Sequence, residues 1–322
     1  MVEAVSAFKA YDIRGIAGKD ITTDFSRRLG RAIVEFTQAT SIAVGRDIRS
    51  SGESLKVALI QGMVESGCMV FDLGIVPTGV VYRSTVDLDI DSAIAITASH
   101  NPPEYNGFKI VHEGLPVAGE DLQRLKAVFD SPGQGKANSP GRIISMSDYH
   151  HTVIDAIVQD VGPLSRRVRV AVDSANAVPG PFMVELCDKL GVDLVDLNCS
   201  WDHESPAHPA DPTRPENMTQ LSDLVANSDC EFGIGVDGDG DRIGVVDENG
   251  DFIHPDRLIG IFANDVLADR KGDPSEEVRT ILFDVKCSMG IQQAIEASGG
   301  IPKMVRTGHS FMKRELSERS GI

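Results

Sequence analysis

The chain of 322 residues is short of paired cysteine, of positive charge and of long apolar runs. Its five cysteines, Cys68, Cys187, Cys199, Cys230 and Cys287, are odd in number and scattered without metal or redox spacing. That excludes a disulfide framework and points to a reducing compartment. Lys and Arg number 31 against 48 Asp and Glu, a net charge of −17, which argues against a nucleic-acid or anionic-membrane partner. An anionic substrate would therefore need a cleft that is locally basic. No run approaches the roughly 18 apolar residues of a membrane helix. The opening segment, residues 1–9, lacks the apolar stretch of a secretory signal, so a cytoplasmic location is expected.

What is present is an ordinary globular composition, 41% hydrophobic and 25% charged, long enough for two or three domains. Three segments share one grammar. Ser41 to Asp47 is a short apolar run ending in aspartate; a helical face of Leu55, Ala58, Leu59, Gly62 and Met63 follows, and then Met69 to Leu73. Val168 to Asp173 opens the second copy, with Pro181 near a helix start, Gly191 past its end, and Val192 to Leu197 after it. The third runs from Thr280 to Asp284, through a helix near Ile291 to Ala297, to Ile301–Val305. These read as three βαβ-type units. Ligands in such sheets bind beyond the carboxyl ends of the strands, which Asp47, Asp173 and Asp284 mark. The turn-rich stretch 131–141 sets an expected boundary near residue 148 and the end of a return strand sets another near 252. The expected domains are 1–147, 148–252 and 253–322.

The most telling stretch is Gly235-Val236-Asp237-Gly238-Asp239-Gly240-Asp241-Arg242. Three carboxylates at alternate positions repel unless a positive group sits among them. A hard divalent cation bound by oxygen is the natural neutraliser, magnesium above all, and the glycines let the backbone bend so that the acids converge. The competing readings are a solvated turn, an EF-hand and a dinucleotide fingerprint. Apolar runs on both sides read as strands delivering a tight loop. Arg242 stands where an EF-hand needs glycine, and no helix follows to complete a dinucleotide motif.

Upstream, Asp91 to Ile96 reads as a buried strand that ends in Thr97-Ala98-Ser99-His100-Asn101-Pro102-Pro103. A serine at such a strand end is a candidate nucleophile. The strand–turn–helix elbow of a Ser-His-Asp hydrolase is missing, and a purely structural turn is the other reading. Basic residues Lys9, Arg14, Arg46, Arg49, Lys109, Arg242, Lys286 and Arg306 lie in or beside loops after apolar runs and are candidates for phosphate binding. His203 and His208 sit in a proline-broken loop whose spacing matches no structural zinc site.

Taken together, these residues resemble the α-D-phosphohexomutase family, nearest its bacterial phosphomannomutase/phosphoglucomutase branch. Phe8-Lys9-Ala10-Tyr11-Asp12-Ile13-Arg14-Gly15 is similar to the opening of that branch, where the glucosamine branch has a threonine-aspartate-glycine version. Gly45-Arg46-Asp47, the serine loop, Asn106-Gly107-Phe108-Lys109, Asp173-Ser174-Ala175-Asn176, Pro215-Glu216-Asn217, the aspartate loop, Asp284-Val285-Lys286 and Gly308-His309-Ser310 fit as well. The resemblance implies tandem related α/β domains with mixed sheets around a central cleft, here three of the family's four with the third incomplete. It implies that Ser99 is a phosphoserine and that Asp237, Asp239 and Asp241, with a phosphate oxygen on Ser99, hold Mg2+. Arg242 would steady the phosphoserine, and Lys109, with a lowered pKa, would be the general acid/base. Tyr11 and Arg14 would lie near substrate or phosphoserine, His100 and Asn101 would support the loop, and Lys286 and His309 would touch the sugar phosphate. The implied reaction interconverts hexose 6-phosphate and hexose 1-phosphate, of mannose or glucose, through a hexose 1,6-bisphosphate. A phosphosugar is the expected partner, and the full-length form is expected to be a monomer. The family's third-domain sugar loop would begin just after Ile322, so the chain is expected to be C-terminally truncated. A truncated inactive phosphosugar-binding fragment, slow hydrolysis of the phosphoserine, and phosphoglucosamine mutase are the alternatives.

Overall fold

The computed structural model describes residues 7–9, 11–131, 139–270 and 275–319. Much of the turn-rich stretch 131–141 therefore lies outside the described residues. The chain forms two compact units, residues 1–252 and 253–322.

The first unit opens with β1 (Ile13–Ile16), α1 (Thr23–Thr37), β2 (Ser41–Arg46), α2 (Gly52–Glu65), β3 (Met69–Ile75), α3 (Thr78–Asp87), β4 (Ser92–Ile96), β5 (Tyr105–His112), β6 (Leu115–Pro116), α4 (Glu120–Asp130) and β7 (Ile143–Ser145). Thr22 caps α1 by accepting from the Phe25 amide, and Phe25, Leu29, Ala32 and Ile33 then recur on one face at helical spacing. That face enters a core with Ile42, Leu59, Ile94, Phe108 and Phe129. Gly30 permits the close approach of α1 to α2, because a Cβ there would meet the Leu59 carbonyl at 2.2 Å. The sheet runs β1-β5-β4-β2-β3-β7, with β6 beside β5. β4, β2, β3 and β7 pair in parallel, while β5 is antiparallel to both β4 and β1. Every residue of β4 is buried, as a continuous apolar run inside a two-faced sheet requires.

After α5 (Tyr149–Val161) come β8 (Arg169–Asp173), α6 (Pro179–Leu190), β9 (Asp193–Leu197), a 3-10 turn at Pro215–Met218, α7 (Thr219–Ala226), β10 (Phe232–Val236), β11 (Ile243–Val246) and the short edge strand β12 (Phe252–Ile253). Their sheet is ordered β12-β11-β10-β8-β9, with β10 parallel to β8 and antiparallel to β11. Gly191 takes the left-handed cap of α6, as its place in the sequence leads one to expect. Asp47 and Asp173 stand where the parallel strands β2 and β8 end.

The second unit holds α8 (Pro255–Asp269), α9 (Glu276–Arg279), β13 (Thr280–Asp284), α10 (Met289–Ala297), β14 (Ile301–Val305) and α11 (His309–Arg319). β13 and β14 pair in parallel along their whole length. Ala263, Leu267, Ile281, Phe283, Ile291 and Ile295 form its core. Among the described residues no helix is long and apolar enough to cross a membrane.

Candidate active site

Each sheet of the first unit delivers one loop to a common cleft. The buried strand β4 releases residues 97–103, and the β10–β11 hairpin carries residues 237–242. Gly238 lets them meet: a Cβ there would lie 2.4 Å from the Ser99 carbonyl oxygen, closer than any side chain tolerates. Ser99 Oγ–H donates to Asp237 Oδ2 at 2.7 Å, and Arg242 Nη2–H donates to Ser99 Oγ at 2.8 Å. The two motifs, 138 residues apart in sequence, are therefore in direct contact.

Ser99 has φ +53°, a left-handed conformation that costs a non-glycine residue on the order of 1–3 kcal/mol. Two contacts hold it there. Its amide donates to Thr97 Oγ1 at 2.9 Å. Arg49 reaches across from the β2 loop to donate to the carbonyls of Ser99 (2.8 Å), Asn101 (2.7 Å), Pro102 (2.6 Å) and Tyr105 (2.9 Å). Asp47 in turn holds Arg49 at 3.1 Å. Burial, opposed by Arg49, pushes the Asp47 carboxyl above its ordinary range. Arg14 Nη1 donates to Asn101 Oδ1 at 2.6 Å and pairs with Asp12, while its buried Nε has no partner among the described residues. Tyr11 stands beside Asp12 with 39% of its surface exposed.

Asp237 and Asp239 are buried, and carboxylate oxygens of Asp237, Asp239 and Asp241 lie within 4.8 Å of one another. Burial and then the two neighbouring acids push the Asp237 carboxyl up. Asp237 Oδ1 accepts from the amides of Asp241 (2.8 Å) and Arg242 (3.0 Å), which folds the loop around it. Asp239 accepts from Thr78 and, at 2.6 Å, from Lys109, which also reaches Asp241 at 2.5 Å. Asp239 Oδ1 is buried with no donor among the described residues. An orphaned anionic oxygen in a converged set of three acids is the donor set that a hard cation takes, so the residues present fit a divalent ion.

Two expectations need correction. Lys109 was expected to need a lowered pKa, but its ammonium is raised: burial pulls it down, and the charges of Asp239 and Asp241 outweigh that. Nor is the cleft simply basic. Arg14 faces Asp12, Arg49 faces Asp47, Lys109 faces Asp239 and Asp241, and Arg242 faces Asp237 and Asp211, so the cations are matched by carboxylates. An acidic chain keeps arginine and lysine at this site by supplying each with a buried or half-buried acid.

A cleft of about 690 Å³ opens on Ser99, lined among others by Asp47, Arg49, His100, Asn176 and His208. His100 Nδ1 lies 3.3 Å from Ser99 Oγ and also contacts Arg242; burial, then the Arg242 charge, lowers its pKa. Lys286 stands after β13 in the second unit, its ammonium 3.9 Å from Asp284. His309 begins α11, and its side chain lies outside the described residues. Arg306 of that unit stacks on the Phe311 ring, 3.8 Å from its centroid. Sequence reading passed over Thr78 and Asp211 and did not give Arg49 its part as the clasp of the serine loop. The signal for Arg49 was its place two residues beyond a strand-ending aspartate; Thr78 and Asp211 carry no local signal.

Comparison with known proteins gives the chain's family. The description "Phosphoglucomutase/phosphomannomutase, alpha/beta/alpha domain I" matches residues 5–136, its domain II residues 149–250 and its domain III residues 254–322. A phosphomannomutase/phosphoglucomutase of Pseudomonas aeruginosa is 38% identical over 98% of the chain and 67% of its own length. A phosphoglucomutase of Neisseria meningitidis is 37% identical with the same coverage. A solved phosphoglucomutase/phosphomannomutase family protein of Burkholderia thailandensis superposes with a TM-score of 0.91 at 36% identity, covering the whole chain and 70% of that protein.

Proposed function

Because this chain belongs to the phosphoglucomutase/phosphomannomutase family, we propose that it interconverts the 6- and 1-phosphates of glucose or mannose, with Ser99 carrying the phosphoryl group. The observation that carries the reading is the contact of Ser99 Oγ with Asp237 and Arg242 at 2.7 and 2.8 Å.

Phosphoserine gives its phosphoryl group to the free hydroxyl of a hexose phosphate. The bond from phosphorus to Ser99 Oγ breaks, a bond to the sugar oxygen forms, the hydroxyl's proton passes in net to the freed Ser99 Oγ, and the product is a hexose 1,6-bisphosphate. After the bisphosphate turns round, Ser99 Oγ attacks its other phosphorus and releases the isomeric monophosphate. For that second step the serine's proton has an acceptor in place, because Oγ–H already donates to Asp237 Oδ2. Arg242 Nη2 stabilises negative charge on the oxygen that joins or leaves phosphorus. Asp237, Asp239 and Asp241, with a phosphoryl oxygen on Ser99, would hold Mg2+, which supplies positive charge to the transferring group. Lys109, charged as it stands, is assigned the acid half of the proton transfers. Arg14 and Tyr11 are assigned to the phosphosugar beside the serine loop; Lys286 and His309 of the second unit are assigned, by family resemblance, to sugar-phosphate contact. Five free cysteines are in keeping with work in the cytoplasm.

The test is incubation of the chain with glucose 1,6-bisphosphate and Mg2+, read by intact mass and peptide mapping. One phosphoryl group on Ser99, with hexose monophosphate released, is the expected result. Modification elsewhere, or none at saturating bisphosphate, overturns the assignment.

A further inference from the structure

One of the three histidines that line the cleft, His208, has no part in the reaction just described. His208 lies in the long connection between β9 and the 3-10 turn, with 17% of its side chain exposed. Its Nε2 is 2.9 Å from Asp173 Oδ2, and its Nδ1 is 3.0 Å from the Pro209 carbonyl oxygen. Asp173 is fixed in turn: it is 2% exposed, and its Oδ1 accepts from the Ala175 amide at 2.9 Å. A carbonyl oxygen can only accept, and a carboxylate likewise. A ring with acceptors at both nitrogens is satisfied only as the imidazolium, which donates twice.

The connection it pins leads straight to the catalytic loop. Ala210 O accepts from the Gly238 amide at 3.2 Å, and Asp211 Oδ1 accepts from Arg242 Nη1 at 3.2 Å. Asn176, just past β8, ties the other end: its Oδ1 accepts from the Ala207 amide at 3.1 Å, and its Nδ2 donates to the Ser200 carbonyl at 3.0 Å. Arg242, whose Nε and Nη2 donate to Asp237 Oδ2 at 3.1 and 2.8 Å, is thus braced at Nη1 by a loop that two residues at the end of β8 hold in place.

We propose that His208 is a positioning residue, an imidazolium pinned between Asp173 and the Pro209 carbonyl that fixes the loop from which Asp211 aims Arg242 at Ser99. The proposal rests on the phosphoserine reading above. The charged group at the ring is Asp173 of β8. Asp202, His203 and Glu204 of its own loop, and Asp47, Arg49 and His100 of the serine-bearing side, line the same cleft. The Asp173 hydrogen bond raises the His208 pKa against burial, the reverse of the shift at His100. The latch is therefore complete below the ordinary histidine range and is lost as pH climbs through the raised value.

The experiment has two arms. Long-range 1H–15N spectra of the wild-type chain report the protonation of both His208 ring nitrogens across pH 5.5 to 9. Two protonated nitrogens at pH 6.5, with titration above the free-imidazole range in wild type and below it in Asp173→Asn, are expected. A neutral ring at pH 6.5 overturns the proposal and needs no active enzyme. The second arm follows phosphoryl transfer from glucose 1,6-bisphosphate to Ser99. His208→Gln keeps one donor but no charge, and should slow the rate roughly ten- to a hundredfold with the half-saturating bisphosphate concentration little changed. It should also erase the alkaline decline of the wild-type rate. A wild-type rate and pH profile in His208→Gln overturns the positioning role. Failure of wild type to take up phosphate strikes instead at the function above and leaves the spectroscopic arm to decide. A His208→Gln chain that does not fold is replaced by Asp173→Asn, with the same outcomes.

Discussion

Among the described residues, two clusters offer metal-ligating atoms within 4.8 Å of one another: Asp237, Asp239 and Asp241 in the cleft, and His150, His151 and Glu185 on the surface. They differ in what surrounds them. The surface set is already provided for. His151 Nδ1 and Glu185 Oε1 lie 2.7 Å apart, Lys189 reaches Glu185 at 3.1 Å, and His150 Nδ1 faces the Ser147 carbonyl at 3.0 Å. The cleft set contains two buried acids and an oxygen, Asp239 Oδ1, without a donor among the described residues. Proximity of ligand atoms alone does not distinguish them; burial and an unmet hydrogen-bonding demand do.

That contrast can be broken by experiment. The largest effect is expected from Ser99→Ala, which removes the oxygen that the cleft cluster surrounds. Phosphoryl uptake from the bisphosphate and mutase turnover should both vanish, and near-normal turnover would detach the cluster from the chemistry. Next comes Asp239→Asn. Calorimetric affinity for Mg2+ or Mn2+ should fall by roughly a hundredfold, while Glu185→Gln leaves it within error. An equal loss in the two variants would show that the orphaned oxygen is no guide.

Arg49→Ala tests buried against more accessible pairing. It strands the buried Asp47 carboxylate and frees four carbonyls of the serine loop, and should cost about 3–5 kcal/mol in denaturant unfolding. The more accessible counterpart is the half-buried Glu65, which joins α1 to α2 through Arg27 and Arg31. The Arg27 hydrogen bond leads the causes that lower its pKa to about 2. A lowered carboxylate adds stability above its unfolded value, and that stability is lost as pH falls from about 4.5 toward 2. Glu65→Gln should lower Tm by only about 2 °C at pH 7, and the gap to wild type should close below pH 3. A gap that widens in acid would contradict the assignment.

Much of this was legible in one dimension. Alternating acids and glycines between apolar runs announced the hairpin β10–β11, and the apolar run before Thr97 announced β4, because short-range pattern dictates strand and turn. The pairing of Ser99 with Asp237 could be anticipated from chemistry, since three acids need a positive partner and a transferable phosphoryl group needs neutralising charge. Lys109 shows where such reasoning stops. Its place after an apolar run indicated a phosphate-binding cation and the family resemblance a proton carrier, but two acids 130 and 132 residues away hold its charge. His208 is the same case: its spacing argued only against zinc, and its two acceptors become visible when β8 and the long loop come together.

The sequence by itself determined the alternating α/β order, the two loops that bear the chemistry and the residue types they present, because these follow from periodicity, turn propensity and charge over a few residues. Only the tertiary structure decided which acid faces which base, that Arg49 clasps the serine loop, that Asp239 keeps a bare oxygen and that His208 bridges two acceptors. Those are properties of groups distant along the chain, and their protonation and partners are set by burial and contacts that no local pattern encodes.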